Sequence, residues 1–192
     1  MTIDKNKVRK KYWTHVLLWV GFIYSTLYIV RPICEFLKQV TPFFFLTNLL
    51  MIGLLAYAVI VLWFQIGIRS VSSFVLLALV LSAYLYGLIV ISYPEEKIHF
   101  VEYGILAYLI YRALSLDTSK VLTYTGAFLL TSAFGWIDEG IQHILPNRYY
   151  QNADVLLNSV SGLLGLILVY IFQREIEKKK ILANPTPPRP QE

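Results

Sequence analysis

Apolar residues in this sequence fall in blocks of roughly 17 to 24, separated by short polar stretches, and not as one stripe along an amphipathic helix. Blocks of that length match the run needed to cross a bilayer as an α-helix. The alternative spanning solution, a closed β-barrel, requires alternating apolar and polar positions. The stretch Leu76-Leu77-Ala78-Leu79-Val80-Leu81 and its continuation to Ile91 shows no such alternation. The pattern predicts an all-α, polytopic transmembrane helix bundle of about six spans, near Tyr12–Val30, Phe43–Ile66, Val71–Tyr93, His99–Leu114, Val121–Ile137 and Val155–Phe172.

Composition agrees with that reading. Of the 192 residues, 57% are hydrophobic and 15% are charged, against about a quarter charged in an ordinary soluble domain, and the mean hydropathy is +0.58. There is too little polar material to wet the surface of a globule. The net charge of +5 does not form a nucleic-acid groove, because the basic residues sit at the two ends and in short connections. Cys34 stands alone, which excludes an intramolecular disulfide and a cysteine-cluster metal site.

Loop charges set an expected orientation. With the N-terminus inside, Lys5, Lys7, Arg9, Lys10, Lys11, Arg69, Arg112, Lys120, Arg174, Lys178, Lys179, Lys180 and Arg189 are cytoplasmic, 13 of the 17 basic residues. Both termini are then cytoplasmic. The first span follows basic residues as a signal peptide would, but it is too long and is followed by Arg31-Pro32, so an uncleaved anchor is expected. The chain divides into a basic N-terminus (1–11), three N-terminal spans (12–92), three further spans (93–173) and a basic, proline-rich cytoplasmic tail (174–192), of which 183–190 is expected to be disordered.

The acids distribute the other way. Glu35, Glu95, Glu96, Glu102, Asp138, Glu139 and Asp154 fall outside, seven of the 12. Three segments carry the candidate chemistry. In the first, His99 lies i,i+3 from Glu102 and i,i+4 from Tyr103, and Lys97 precedes them. A carboxylate at Glu102, inside an apolar span, calls for a partner or a function. In the second, Asp138 and Gln142 are one turn apart, as are Glu139 and His143, with Arg148 beyond a turn at Pro146. Adjacent carboxylates in a low-dielectric site do not both ionise easily, and Arg148 is the natural counter-ion or an anchor for phosphate. In the third, Asp154, Asn158, Ser161 and Gly165 form a polar and small-residue stripe that admits a close helix neighbour. The bland readings are a structural ion pair, an N-cap and a packing face. Glu139, His143, Asp138 and His99 could supply zinc-type ligands, but no two-histidine metal motif is present and no metal or cofactor is expected.

These motifs carry a resemblance. Glu96-Lys97-x-His99-Phe100-x-Glu102-Tyr103-Gly104-x-Leu106, Asp138-Glu139-Gly140-Ile141-Gln142-His143-Ile144-Leu145-Pro146-Asn147-Arg148, and Ala153-Asp154 through Gly165 resemble, in order and spacing, three signatures of the VanZ-like membrane proteins. The likeness covers about Tyr93 to Phe172. It implies a bacterial inner-membrane protein related to one linked with resistance to the glycopeptide teicoplanin. His99, Glu102, Asp138 and Glu139 are then candidate catalytic groups. Lys97, Tyr103, Gln142, Arg148, Asp154 and Asn158 are candidate ligand contacts. Glu96 stands where the family often has Asp, and His143 where it more often has an apolar residue.

Three functions remain open on the residues. The first is a site for a membrane lipid or lipid-linked envelope intermediate, or for a lipoglycopeptide, with a carboxylate as base and His99 as acid if it is an enzyme. The second is a proton-coupled transporter using Glu102 and Asp138, which six short spans without a visible repeat do not favour. The third is a structural partner protein whose charged cluster locks the last helices together.

Overall fold

The computed structural model describes residues 4–68, 70–145 and 151–183. Among these residues all regular structure is helical. The helices are α1 (Lys5–Val40), α2 (Phe43–Ile60), α3 (Val71–Val90), the single turn α4 (Pro94–Lys97), α5 (His99–Leu114), α6 (Lys120–Ile144) and α7 (Asn152–Ala183). A π-helical segment, Val61–Ile66, continues α2 and is closed by Gly67, whose φ of 75° is left-handed and suits a residue without Cβ.

Four helices are long and apolar enough to cross a membrane: α1, α2 with its π segment, α3 and α7. Their surfaces agree, since Leu17, Phe64, Leu79 and Ile89 are all more than half exposed. Large side chains of this kind facing outward on every long helix need an apolar solvent. The chain is a membrane protein.

Two of the six expected spans, those of α5 and α6, do not meet the same measure. At 16 residues α5 is about 24 Å long, short of the roughly 30 Å hydrocarbon core. It sits at the centre of the bundle, packed by α1, α6 and α7. Tyr103, Leu106, Ala107 and Ile110 are completely buried there. The α6 helix carries Thr123, Thr131, Asp138, Glu139 and Gln142 on its buried face. Helices shielded by protein do not have to be as apolar as helices bathed in lipid.

Elsewhere the helices outrun the apolar blocks. The first was expected to end at Val30, yet α1 continues through Pro32 to Val40. A proline inside a helix removes one hydrogen bond and crowds the preceding turn. Here tertiary contacts outweigh it, since Cys34 is buried and Lys38 Nζ pairs with Glu95 at 2.8 Å. Likewise α7 runs beyond Phe172 to Ala183. The start of α1, the α5–α6 connection and the end of α7 meet at one end of the bundle, through Lys5 with Asp117 (3.1 Å) and Lys120 with Glu177 (3.4 Å). The α5–α7 crossing brings two backbones close together. A Cβ on Gly165 would stand 2.8 Å from Gly104 Cα and 2.9 Å from its carbonyl oxygen. The predicted stripe is thus a helix-packing face, with Asp154, Asn158, Ser161 and Gly165 all buried.

Candidate functional site

At the end opposite the basic helix termini lies a cavity of about 280 Å³. One wall is α1, through Thr26, Leu27 and Arg31; a second is the α4 turn, through Glu95 and Glu96. The start of α5 adds His99 and Glu102, while Gln142, Gln151 and Asp154 close it from α6 and α7. Four carboxylates, one imidazole and one guanidinium therefore face a single space.

Local sequence explains the arrangement. Pro94 opens the α4 turn, where its missing N–H is harmless, and Glu95 and Glu96 in that turn complement the positive helix end. The chain bends at Ile98 and restarts as α5 at His99, which sets His99 and Glu102 on one face. His99 Nδ1 lies 3.4 Å from Glu102 Oε2. Trp19 Nε1 donates to the backbone carbonyl of Glu102 at 2.9 Å, fixing α1 against this turn. Arg31 also reaches Glu35 at 3.3 Å.

The remaining polar residues form a second group beneath the cavity, inside the bundle. Tyr103 Oη donates to Asp138 Oδ2 at 2.7 Å, and Tyr24 Oη donates to the carbonyl of Phe134 at 2.8 Å. Asn158 is fully buried beside Gly135, where a Cβ would stand 2.8 Å from Asn158 Cβ; only glycine admits α7 so closely. Glu139 acts as a clamp. Its Oε1 accepts from Gln142 Nε2 at 2.9 Å and its Oε2 from the backbone N–H of Gln151 at 3.3 Å, which joins the end of α6 to the entrance of α7.

The ten candidate residues thus separate. His99, Glu102, Gln142 and Asp154 line the cavity. Tyr103, Asp138, Glu139 and Asn158 do not line it; each is fully buried in the interior. Asp138 and Glu139, expected as catalytic carboxylates, accept hydrogen bonds in the interior, Asp138 from Tyr103 and Glu139 from Gln142 and the Gln151 N–H. Lys97, expected to touch a ligand, is also fully buried and lies away from the cavity. Its Nζ donates to Asn48 Oδ1 at 2.8 Å and to the Leu88 carbonyl at 2.9 Å, and sits 4.0 Å from the Phe44 ring centroid. This peg ties α2, α3 and α4 together, and burial pushes its pKa below the ordinary lysine value. Arg148 lies outside the described residues.

Sequence reasoning missed the α1 contribution, Thr26 and Arg31, since nothing in a lone apolar span marks which face meets the site. Glu95 and Glu96 carried a signal in the outer acid count. Among the described residues no group of three or more His, Cys, Asp or Glu side chains is placed to hold a metal ion. No protein-family model, curated protein or solved structure matches the chain.

Proposed function

We propose that this is a six-span protein of the bacterial inner membrane, similar to the VanZ-like proteins, with both termini cytoplasmic. Its outward-facing cavity binds the polar head of an amphiphilic envelope ligand, a lipid-linked glycan or a lipoglycopeptide such as teicoplanin. The observation that carries this reading is the gathering of Glu95, Glu96, Glu102 and Asp154 with His99 and Arg31 around one space. Ionised carboxylates only accept hydrogen bonds. Such a wall suits a ligand rich in donors, the hydroxyl, amide and amino groups of sugars and peptides. Placing the cavity outside follows from the basic residues at the other end of the bundle. The central position of α5, and the inward polar face of α6, support counting both as spans.

The site favours binding over bond cleavage, because Asp138 and Glu139 stand away from the cavity. The test uses the full chain in proteoliposomes, titrated with teicoplanin and, separately, with a lipid-linked disaccharide-pentapeptide. Glu102→Gln and Asp154→Asn each replace a charged acceptor, whose hydrogen bonds contribute roughly 1.5–3 kcal/mol. Each is expected to weaken binding by about tenfold or more at unchanged melting temperature. Wild-type protein that binds neither ligand, or variants that bind as tightly as it does, would sink the proposal. A structural reading is favoured for the interior group alone, since Lys97, Tyr103 and Asp138 contact other protein groups.

A further inference from the structure

A second feature lies on the opposite face of α5 from the acidic cavity. Two cavities, of about 340 and 520 Å³, share Ala58, Tyr108 and Leu168 and are therefore stretches of one groove. α2 forms one side and the α5–α7 pair the other. α2 is pinned near its start by the Lys97 peg, and its π continuation packs on α7. Between these points it stands off from α5 and α7. The groove runs along α2 from Met51 to Leu62, about 16 Å of helix, which is about half of the roughly 30 Å hydrocarbon core. That is the depth of one leaflet.

One end of the groove is walled by apolar side chains such as Leu54, Leu55 and Ile105, and the other reaches Arg112. The Arg112 guanidinium donates to Tyr108 Oη at 2.8 Å and to Tyr12 Oη. Both partners are neutral phenols, and a guanidinium has five N–H donors. Among the described residues no carboxylate pairs with it. The nearby acids are engaged elsewhere, Asp117 with Lys5 and Arg9, and Glu177 with Lys120. A half-buried cation at the mouth of an apolar groove, one leaflet deep, matches an anion carrying a hydrocarbon tail.

We propose that the groove between α2 and the α5–α7 pair binds an anionic phospholipid, with an acyl chain along the groove and the headgroup phosphate on Arg112. This site is separate from the acidic cavity, and neither reading depends on the other.

The test is native mass spectrometry of the full chain in mild detergent, titrated with dioleoyl phosphatidylglycerol or with dioleoyl phosphatidylcholine. Wild type is expected to retain phosphatidylglycerol with at least about fivefold preference, the equivalent of one arginine near an anionic headgroup. Arg112→Gln should erase the preference, and Arg112→Lys should keep most of it. Ala58→Phe, which fills the groove and leaves the cation in place, should remove the bound lipid of either kind. Equal retention of the two lipids by wild type would overturn the proposal. So would an Arg112→Gln protein that keeps the preference, or an Ala58→Phe protein that still holds lipid. Glycerol phosphate, which has no tail, should not displace the lipid at matched concentration; displacement would mean that the site binds a free phosphate only. If Arg112→Gln fails to fold, Ala58→Phe and Leu168→Phe still decide the question.

Discussion

Gly165→Ala is the substitution whose effect can best be worked out from geometry. The added methyl would lie 2.8 Å from Gly104 Cα and 2.9 Å from Gly104 O, well inside contact distance. Both obstacles are backbone atoms, so no rotamer change relieves them, and α5 and α7 must separate by about half an ångström. Overpacking of this kind costs about 1–3 kcal/mol, while alanine recovers about 0.8–1 kcal/mol of helix propensity over glycine. The net expectation is a loss of up to roughly 2 kcal/mol. Gly140, also helical, meets nothing within 4 Å, so Gly140→Ala isolates the propensity gain and should stabilise by up to about 1 kcal/mol. The two variants are compared by thermal or denaturant unfolding in the same detergent. The reasoning fails if Gly165→Ala is as stable as Gly140→Ala. The separation has a functional readout too, because His99 and Glu102 ride on α5 and Asp154 on α7. A widened crossing should weaken ligand binding in the cavity without touching any lining residue.

Three further predictions concern the buried polar residues. Lys97→Met leaves Asn48 Oδ1 and the Leu88 carbonyl without their donor, for a loss of about 1–3 kcal/mol each, partly offset by no longer burying an ammonium. The expected result is a lower melting temperature and faster labelling of a Met51→Cys probe on α2, with ligand affinity at the acidic cavity retained; lost affinity at an unchanged melting temperature would restore Lys97 as a ligand contact. Because burial lowers the Lys97 pKa, the unfolded chain holds that proton more tightly. The stability advantage of wild type over Lys97→Met should therefore grow as pH rises toward the ordinary value of 10.5, and a flat or falling difference would count against the burial assignment. Glu139→Gln retains one acceptor oxygen and loses the other, so it should break the bond to the Gln151 N–H; hydrogen exchange at that amide should accelerate by about fivefold or more, and unchanged exchange would refute the clamp.

Much of the fold is legible because lipid makes a simple demand of the chain. Residues 71–90 and 43–66 are apolar on every face since every face must tolerate hydrocarbon, and the helices there match the apolar blocks. The α7 stripe is legible for the opposite reason, since small residues at helical spacing mark where another backbone approaches. The extension of α1 through Pro32 is not legible, because local propensity argues against it and the compensating contacts, Lys38 with Glu95 and the burial of Cys34, lie far apart in sequence. Nor is the fate of Lys97. A lysine beside three acidic motif positions reads as a surface or ligand group, and only the folded chain shows Asn48, 49 residues away, accepting from its ammonium.

The division of the polar residues carries its own mechanistic argument. Tyr103, Asp138, Glu139 and Asn158 are fully buried, where an unsatisfied polar group would be destabilising, and the first three each make at least one hydrogen bond within the protein. His99, Glu102 and Asp154 remain 8% exposed or more at the cavity wall, on the same helices and within two turns of the interior group. Each interior residue therefore sits about one turn from a lining residue on its own helix: Tyr103 from His99, Glu139 from Gln142, Asn158 from Asp154. Such a layer restricts the sliding of α5, α6 and α7 past one another, and sliding is the motion that would disperse the carboxylates. It also explains why two kinds of residue share the three motifs. One kind shapes the cavity and the other keeps it shaped, and they differ in what substitution should do. Isosteric changes at Glu102 or Asp154 should alter binding at constant stability, whereas changes at Asp138 or Glu139 should alter stability first and binding only through it.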